Sequence, residues 1–206
     1  MSFFSALRGL ISDTVSRTAR LDASTHAINT ITYPHHEIHS GSSFSCTFTN
    51  DVTNIGERTA IAFNTPAGTK WVHLIIEAGS TGLCYAGLYE APSIDVDEGT
   101  QLTIYNRKRS SGTASTILSI ETVPVANKAT SYNEGQAAGA NITTTTELAR
   151  NILGTGTKKT IGGGERGSQE WELAPGVQYV VLMHSLTNDD ATHTLTLDWY
   201  EHTDKN

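Results

Sequence analysis

The sequence predicts an all-β protein built as a two-sheet antiparallel sandwich of jelly-roll type, with an N-terminal helical arm. Three observations support this fold class. Thr, Ser, Gly, Val, Ile and Tyr are abundant, while charged residues make up only 17% of the 206-residue chain, a composition typical of strands. After residue 30, apolar residues recur mainly with a period of two. Turn-forming residues separate these stretches, without the strand–helix alternation of a parallel sheet.

The first element is an amphipathic helical arm, which with its linker occupies residues 1–29. Apolar side chains recur there at spacings of three and four, as on one face of a helix. An isolated helix of this length is marginal in water, so its apolar stripe must dock on the sandwich of the same chain or on a partner. Both alternatives stay open. The candidate partner-binding residues are Phe3, Phe4, Leu7, Leu10 and Ile11.

The sandwich domain, residues 30–206, contains about nine predicted strands separated by Gly-, Pro- and Asn-rich turns. Most of them alternate, whereas Trp71–Ile76 is a nearly continuous apolar run of the kind found in buried strands. The predicted strands cover Phe44–Phe48, Ile61–Phe63, Trp71–Ile76, Leu83–Tyr89, Gln101–Tyr105, Thr116–Thr122, Gln169–Leu173, Gln178–Met183 and Thr192–Tyr200.

Two longer stretches interrupt this rhythm. Val123–Thr146 is predicted to run over the surface, followed by a short strand at Leu148–Leu153. Gly154–Gly167, with three consecutive glycines, is predicted to be a long loop, which either carries a binding function or serves as a flexible connector. Its Gly162–Gly167 segment lacks the Lys-Ser/Thr ending of a phosphate-binding loop, so nucleotide binding is disfavoured.

Charge and cysteine content exclude several function classes. The net charge of −7 disfavours binding to nucleic acid or to anionic membranes. No run approaches the roughly 20 apolar residues of a membrane span. Arg8 and Asp13 interrupt the apolar core that a signal peptide needs, so secretory export is not expected. Cys46 and Cys84 lie in separate strand patterns and are expected to be buried free thiols.

Potential catalytic and metal-binding residues do not form a convincing site. In an extended segment His35, Glu37 and His39 would share one face, which makes them weak candidates for a two-histidine, one-carboxylate metal site. Strand-edge histidines more often hydrogen-bond to backbone or water, and no further ligand can be assigned, so no metal or other cofactor is predicted. Asp95, Asp97 and Glu98 are expected to form a solvated corner between strands. The chain is therefore not expected to be an enzyme.

Several separated pieces of the chain together resemble a family of tailed-bacteriophage head proteins, the capsid decoration or cement proteins. The similarity spans roughly residues 30–204 and depends on the order and spacing of its pieces; the arm departs from the common pattern. The pieces are His36–Phe44, Phe63–Pro66, Tyr105–Arg107, Gln169–Tyr179 and Leu197–Asp204.

This resemblance implies a virion structural protein that is made in the host cytoplasm and coats the capsid surface. It implies the major capsid protein as partner and a symmetric homo-oligomer, with a trimer favoured. The alternative is a carbohydrate-binding or adhesin-like module of a fibre or tail, with Tyr85, Tyr89, Trp171 and Trp199 as stacking platforms. Because these aromatic residues fall within strand patterns, core packing is the favoured role for each.

Overall fold

A computed structural model describes residues 33–90, 99–117, 119–122, 146–154, 158–161 and 170–203. Over these ranges one short helix precedes twelve strands, and no described helix is long and apolar enough to cross a membrane. The elements are α1 Tyr33–Ser40, β1 Ser43–Val52, β2 Arg58–Asn64, β3 Lys70–Ser80, β4 Cys84–Glu90, β5 Thr100–Gln101, β6 Tyr105–Asn106, β7 Ser119–Thr122, β8 Thr146–Leu153, β9 Lys158–Ile161, β10 Trp171–Leu173, β11 Gln178–Ser185 and β12 Ala191–Thr203.

Some predictions fall outside the described residues. These are the helical arm with Phe3, Phe4, Leu7, Leu10 and Ile11, the acidic corner with Asp95, Asp97 and Glu98, and the Gly162–Gly167 segment.

The strands form two antiparallel sheets, which confirms the predicted sandwich. Sheet 1 has the order β10-β3-β12-β1-β6, with β9 also pairing with β3, and sheet 2 has the order β5-β7-β2-β11-β4-β8. The long pairings are nested: β1 pairs with β12, β2 with β11, β3 with β10 and β9, and β4 with β8. The second half of the domain therefore retraces the first in reverse order.

The core lies between the inner faces of the two sheets. Phe44, Leu74 and Trp199 of sheet 1 and Phe63 and Met183 of sheet 2 belong to one buried cluster. In β3 every second residue from Val72 onward is buried and the residues between are half-buried. Trp71–Ile76 is therefore not buried on both faces, as its nearly continuous apolar run indicated, because only the inner side of this strand faces the core.

The three central strands of sheet 2 are buried on both sides. Ile61 and Val181 point into the main core, yet their outward neighbours Ala62, Val180 and Leu182 are also at most 1% exposed. Such small and apolar side chains fit a covered face. The outer face of sheet 2 is therefore not a solvent surface.

Three local predictions have different outcomes. Gln101–Tyr105 is not one strand, since β5 belongs to sheet 2 and β6 to sheet 1, and the residues between them cross from one sheet to the other. The strand at Leu148–Leu153 is confirmed as part of β8. The predicted Gly154–Gly167 loop contains β9, which pairs with β3 from Ile76 to Gly79.

Both cysteines are buried free thiols, as predicted. Burial, reinforced by the charge of Asp198, raises the pKa of Cys46 to about 12. Burial also raises the pKa of Cys84 above its usual value. Because the thiolate is the reactive form, neither side chain is a nucleophile at neutral pH.

Candidate functional site

The histidine-rich segment is helical, so it lacks the extended geometry on which the weak metal-site candidates His35, Glu37 and His39 depended. Pro34 lies in the first turn of α1, where a missing N–H costs nothing. Gly41 follows the helix with a φ of 82°, and its N–H and that of Ser42 donate to the carbonyls of Ile38 and Glu37. This is a glycine C-cap. In a helix, positions 35 and 39 share one side and position 37 does not.

Glu37 has a structural role in this helix. Its carboxylate is buried and lies 3.1 Å from His36 Nδ1, and Ser40 Oγ donates to it at 3.3 Å. His39 is exposed, and Lys108 Nζ donates to its backbone carbonyl at 2.8 Å. Nowhere in the described part of the chain do three or more His, Cys, Asp or Glu side chains form a group that could hold a metal ion.

The aromatic residues considered as sugar-stacking platforms pack inside the protein. Tyr85, Tyr89 and Trp199 are at most 3% exposed, and Trp199 lies 5.8 Å from Phe44 in the core, measured between ring centroids. Trp171 is half-buried and packs against the same core. The favoured core-packing role is confirmed for the three buried residues, which cannot stack on a sugar.

A buried carboxylate fixes the connection before β7 to the end of β12. Glu201 is 2% exposed and accepts hydrogen bonds from the backbone N–H of Thr116 at 3.0 Å and the Ser115 hydroxyl at 2.6 Å. Trp199 Nε1 also donates to it, at 3.2 Å. Lys70 Nζ lies 4.0 Å away. These partners satisfy the buried carboxylate, so Glu201 holds the backbone at Ser115 and Thr116 against the end of β12.

Two buried histidines lie near the opposite end of β12. Arg58 Nε donates to His184 Nδ1 at 3.2 Å, and Thr59 Oγ1 lies 3.3 Å from His193 Nδ1. Burial, together with the charge of Arg58, lowers the pKa of His184 to about 3. Burial lowers the pKa of His193 to about 4. Both side chains are therefore neutral at physiological pH.

A row of hydroxyl groups covers the outer side of β1 and β12. Thr47 Oγ1 and Thr196 Oγ1 are 3.1 Å apart, and Thr49 Oγ1 and Thr194 Oγ1 are 3.2 Å apart. Each pair is directly opposite in the strand register. We call this surface the threonine face, formed by Thr47, Thr49, Asp51, Thr192, Thr194 and Thr196.

The threonine face borders a strand edge. Within the described ranges, β1 pairs on its other side only with β6, at Phe44 and Ser45. The backbone from Cys46 to Val52 therefore forms an edge in the described part of sheet 1, next to exposed Thr47 and Thr49. An edge of this kind offers N–H and C=O groups to another chain.

Sequence reasoning did not identify this surface. The alternating threonines of β1 and β12 are visible as a pattern, but their pairing requires the register between strands about 145 residues apart. No protein-family model, no curated protein and no solved structure matches the chain.

Proposed function

We propose that this chain is a virion structural protein that coats and stabilises a tailed-bacteriophage head by binding the outer surface of the shell formed by the major capsid protein. In this role it acts through surfaces and not through catalysis. It is made in the host cytoplasm and assembles on the shell as a symmetric homo-oligomer, with a trimer favoured. The alternative is a carbohydrate-binding or adhesin-like module of a fibre or tail. It is less well supported, because Tyr85, Tyr89 and Trp199 are buried and cannot stack on a sugar.

The nested strand pairing supports the fold that the proposal requires. A jelly roll is a long antiparallel hairpin rolled into two sheets, and the pairing of β1–β4 with β12–β8 in reverse order fits that description. Viral capsid and lectin domains use this architecture. We therefore interpret the sandwich as a jelly roll with β5, β6 and β7 added at the β1 and β2 sides.

The observation that carries the proposal is the threonine face with the neighbouring edge of β1. It presents short hydroxyl side chains on two of the longest strands, and these groups can exchange hydrogen bonds with another polar surface at little cost in side-chain entropy. The edge can add a strand of the partner through main-chain hydrogen bonds. Many weak contacts of this kind suffice on a shell, because the repeated lattice multiplies them.

The direct test is binding to purified phage heads. The wild-type protein should co-purify with heads in a fixed ratio to the major capsid protein. A Thr47→Lys, Thr49→Lys double variant places two long charged side chains on the face. We expect it to fold, since both positions are exposed and lysine is common at strand edges, but to lose at least about tenfold in affinity for heads.

The matched control is Thr69→Lys, which adds a lysine at another exposed position, in the turn before β3. It should bind as the wild type does. Unchanged binding by the Thr47, Thr49 double variant would refute the role of the threonine face, and absence of the wild type from heads would refute the proposed function. A variant lacking residues 1–21 tests the arm separately, because release of this variant from heads would make the arm the anchor.

A further inference from the structure

Two histidines face each other on the outer side of sheet 1, away from the threonine pairs. His73 of β3 and His202 of β12 approach with their Nε2 atoms 2.7 Å apart. Their ring centroids lie 4.6 Å apart and the ring planes are inclined by 36°. The two residues are far apart in the sequence, and the register of β3 with β12 brings them together.

The groups around each ring determine which nitrogen carries hydrogen. Thr203 O lies 3.1 Å from His202 Nδ1, and a carbonyl only accepts, so this Nδ1 donates. Glu170 Oε1 lies 2.8 Å from His73 Nδ1, and the carboxylate favours a hydrogen on that nitrogen as well. Each Nδ1 therefore has an oxygen acceptor beside it, and the two Nε2 atoms face each other.

At 2.7 Å the two Nε2 atoms are within hydrogen-bond distance, so a hydrogen lies between them. A metal ion can take the place of this shared proton. Two bonds of 2.0–2.1 Å at a tetrahedral metal place the nitrogens about 3.3 Å apart, so the two Nε2 atoms need to separate by about 0.6 Å.

The surroundings match those of metal-binding histidines. Such histidines almost always direct the second ring nitrogen towards a carboxylate or a backbone carbonyl, which fixes the tautomer and the ring orientation. Glu170 and the Thr203 carbonyl supply one of each. Tyr200, directly opposite His73, stacks on its ring at 4.7 Å with the planes inclined by 7°. The site is therefore held on paired strands and not on a loop.

We propose that His73 and His202 bind one divalent transition-metal ion, zinc in the first instance, through their Nε2 atoms. The ion takes the place of the shared proton, which leaves to solvent. Imidazole donors favour zinc, copper or nickel over magnesium or calcium. Water, or donor atoms from a second copy of the chain, fill the remaining coordination positions. The site is independent of the proposed function in the virion.

Isothermal titration calorimetry of the metal-stripped full chain with zinc chloride tests the site. We expect one zinc ion per chain, or one per two chains if a second copy completes the coordination. His202→Ala should abolish or strongly reduce binding. Glu170→Gln keeps the side-chain size but removes the charge beside His73, and it should weaken binding about tenfold.

His39→Ala is the matched control, because it removes an exposed histidine on α1 that the sequence offered only as a weak metal-ligand candidate. It should leave zinc binding unchanged. Cobalt(II) provides a second readout, since imidazole ligation produces visible absorption bands that His202→Ala should remove. His202→Gln, checked for folding by circular dichroism, replaces His202→Ala if that variant unfolds. The proposal is overturned if the wild type takes up no zinc, if the folded His202 variant binds as the wild type does, or if His39→Ala abolishes binding.

Discussion

The outer faces of the two sheets differ in composition and burial. On sheet 1, Thr47 and Thr49 are exposed and exchange hydroxyl contacts with half-buried Thr196 and Thr194. On sheet 2 the corresponding outward positions carry small and apolar side chains such as Ala62, Val180 and Leu182, all at most 1% exposed. The molecule therefore has one outer sheet face that is buried and one that is at least partly exposed to solvent.

Strands with one exposed face and strands buried on both faces therefore differ in their sequence patterns. A strand with one open face alternates apolar and polar residues, as β12 does from Thr194 to Trp199. A strand covered on both faces is apolar in consecutive positions, as β11 is from Tyr179 to Met183. Whether the outer face of a strand is exposed or buried can thus be inferred from the residues that alternate with its core positions.

The largest expected effect comes from placing the same charge on each face. Val180→Asp buries a carboxylate with no partner, and we expect it to lower the free energy of unfolding by about 4 kcal/mol or more. Thr49→Asp leaves its carboxylate in water and should cost no more than about 1 kcal/mol, the span of strand propensities. Urea unfolding of both variants measures the contrast. Equal costs would contradict the assignment of the two faces.

Acid should destabilise the protein through His184 and His193. Below about pH 6.5 the unfolded chain binds protons at both side chains, whereas the folded protein does so only near the lowered pKa values of about 3 and about 4. The free energy of unfolding therefore has its full value above about pH 6.5, where both histidines are neutral in both states, and it decreases as the pH falls. We expect a loss of roughly 2 kcal/mol per histidine by pH 4, after allowance for solvent screening.

Urea unfolding between pH 4 and pH 7.5 measures this loss. His184→Gln retains an oxygen that can accept from Arg58 and should make the pH dependence shallower. His39→Gln changes an exposed histidine and should leave the pH dependence of unfolding as in the wild type. A profile that His184→Gln does not alter would show that other groups cause the acid sensitivity.

The smallest expected effect concerns the threonine pairs themselves. A double-mutant cycle with Thr47→Val and Thr196→Val should give a coupling energy of about 0.5 kcal/mol. The value is small because both hydroxyls can bind water when unpaired. Thermal unfolding of the four proteins in the cycle provides the measurement. A coupling of several kcal/mol would mean that these pairs hold sheet 1 together and are not available to a partner.

Much of the fold could be predicted from the sequence because its signals are local. The period-two pattern identified most long strands, and Pro175–Gly176 marked the turn before β11, where Gly176 has a φ of 69°. The helix α1 was missed although Pro34 and Gly41 bracket it, since the histidine spacing was interpreted as an extended strand. The proline near its start and the glycine after its end were the informative residues.

The sites could not be predicted because they depend on strand register. His73 and His202 lie 129 positions apart, and Ser115 meets Glu201 across 86 positions. No local spacing connects such residues. A one-residue slip of β12 against β3 would turn every second side chain to the other face and separate the two histidines.

Imaging of intact phage heads, with the chain located and oriented in the density, tests the central claim that the outer face of sheet 1 is the contact surface. We expect copies on the outside of the shell, with Thr47, Thr49 and the β1 edge against the major capsid protein. Heads without the protein, or copies bound through sheet 2 with the threonine face in solvent, would contradict it.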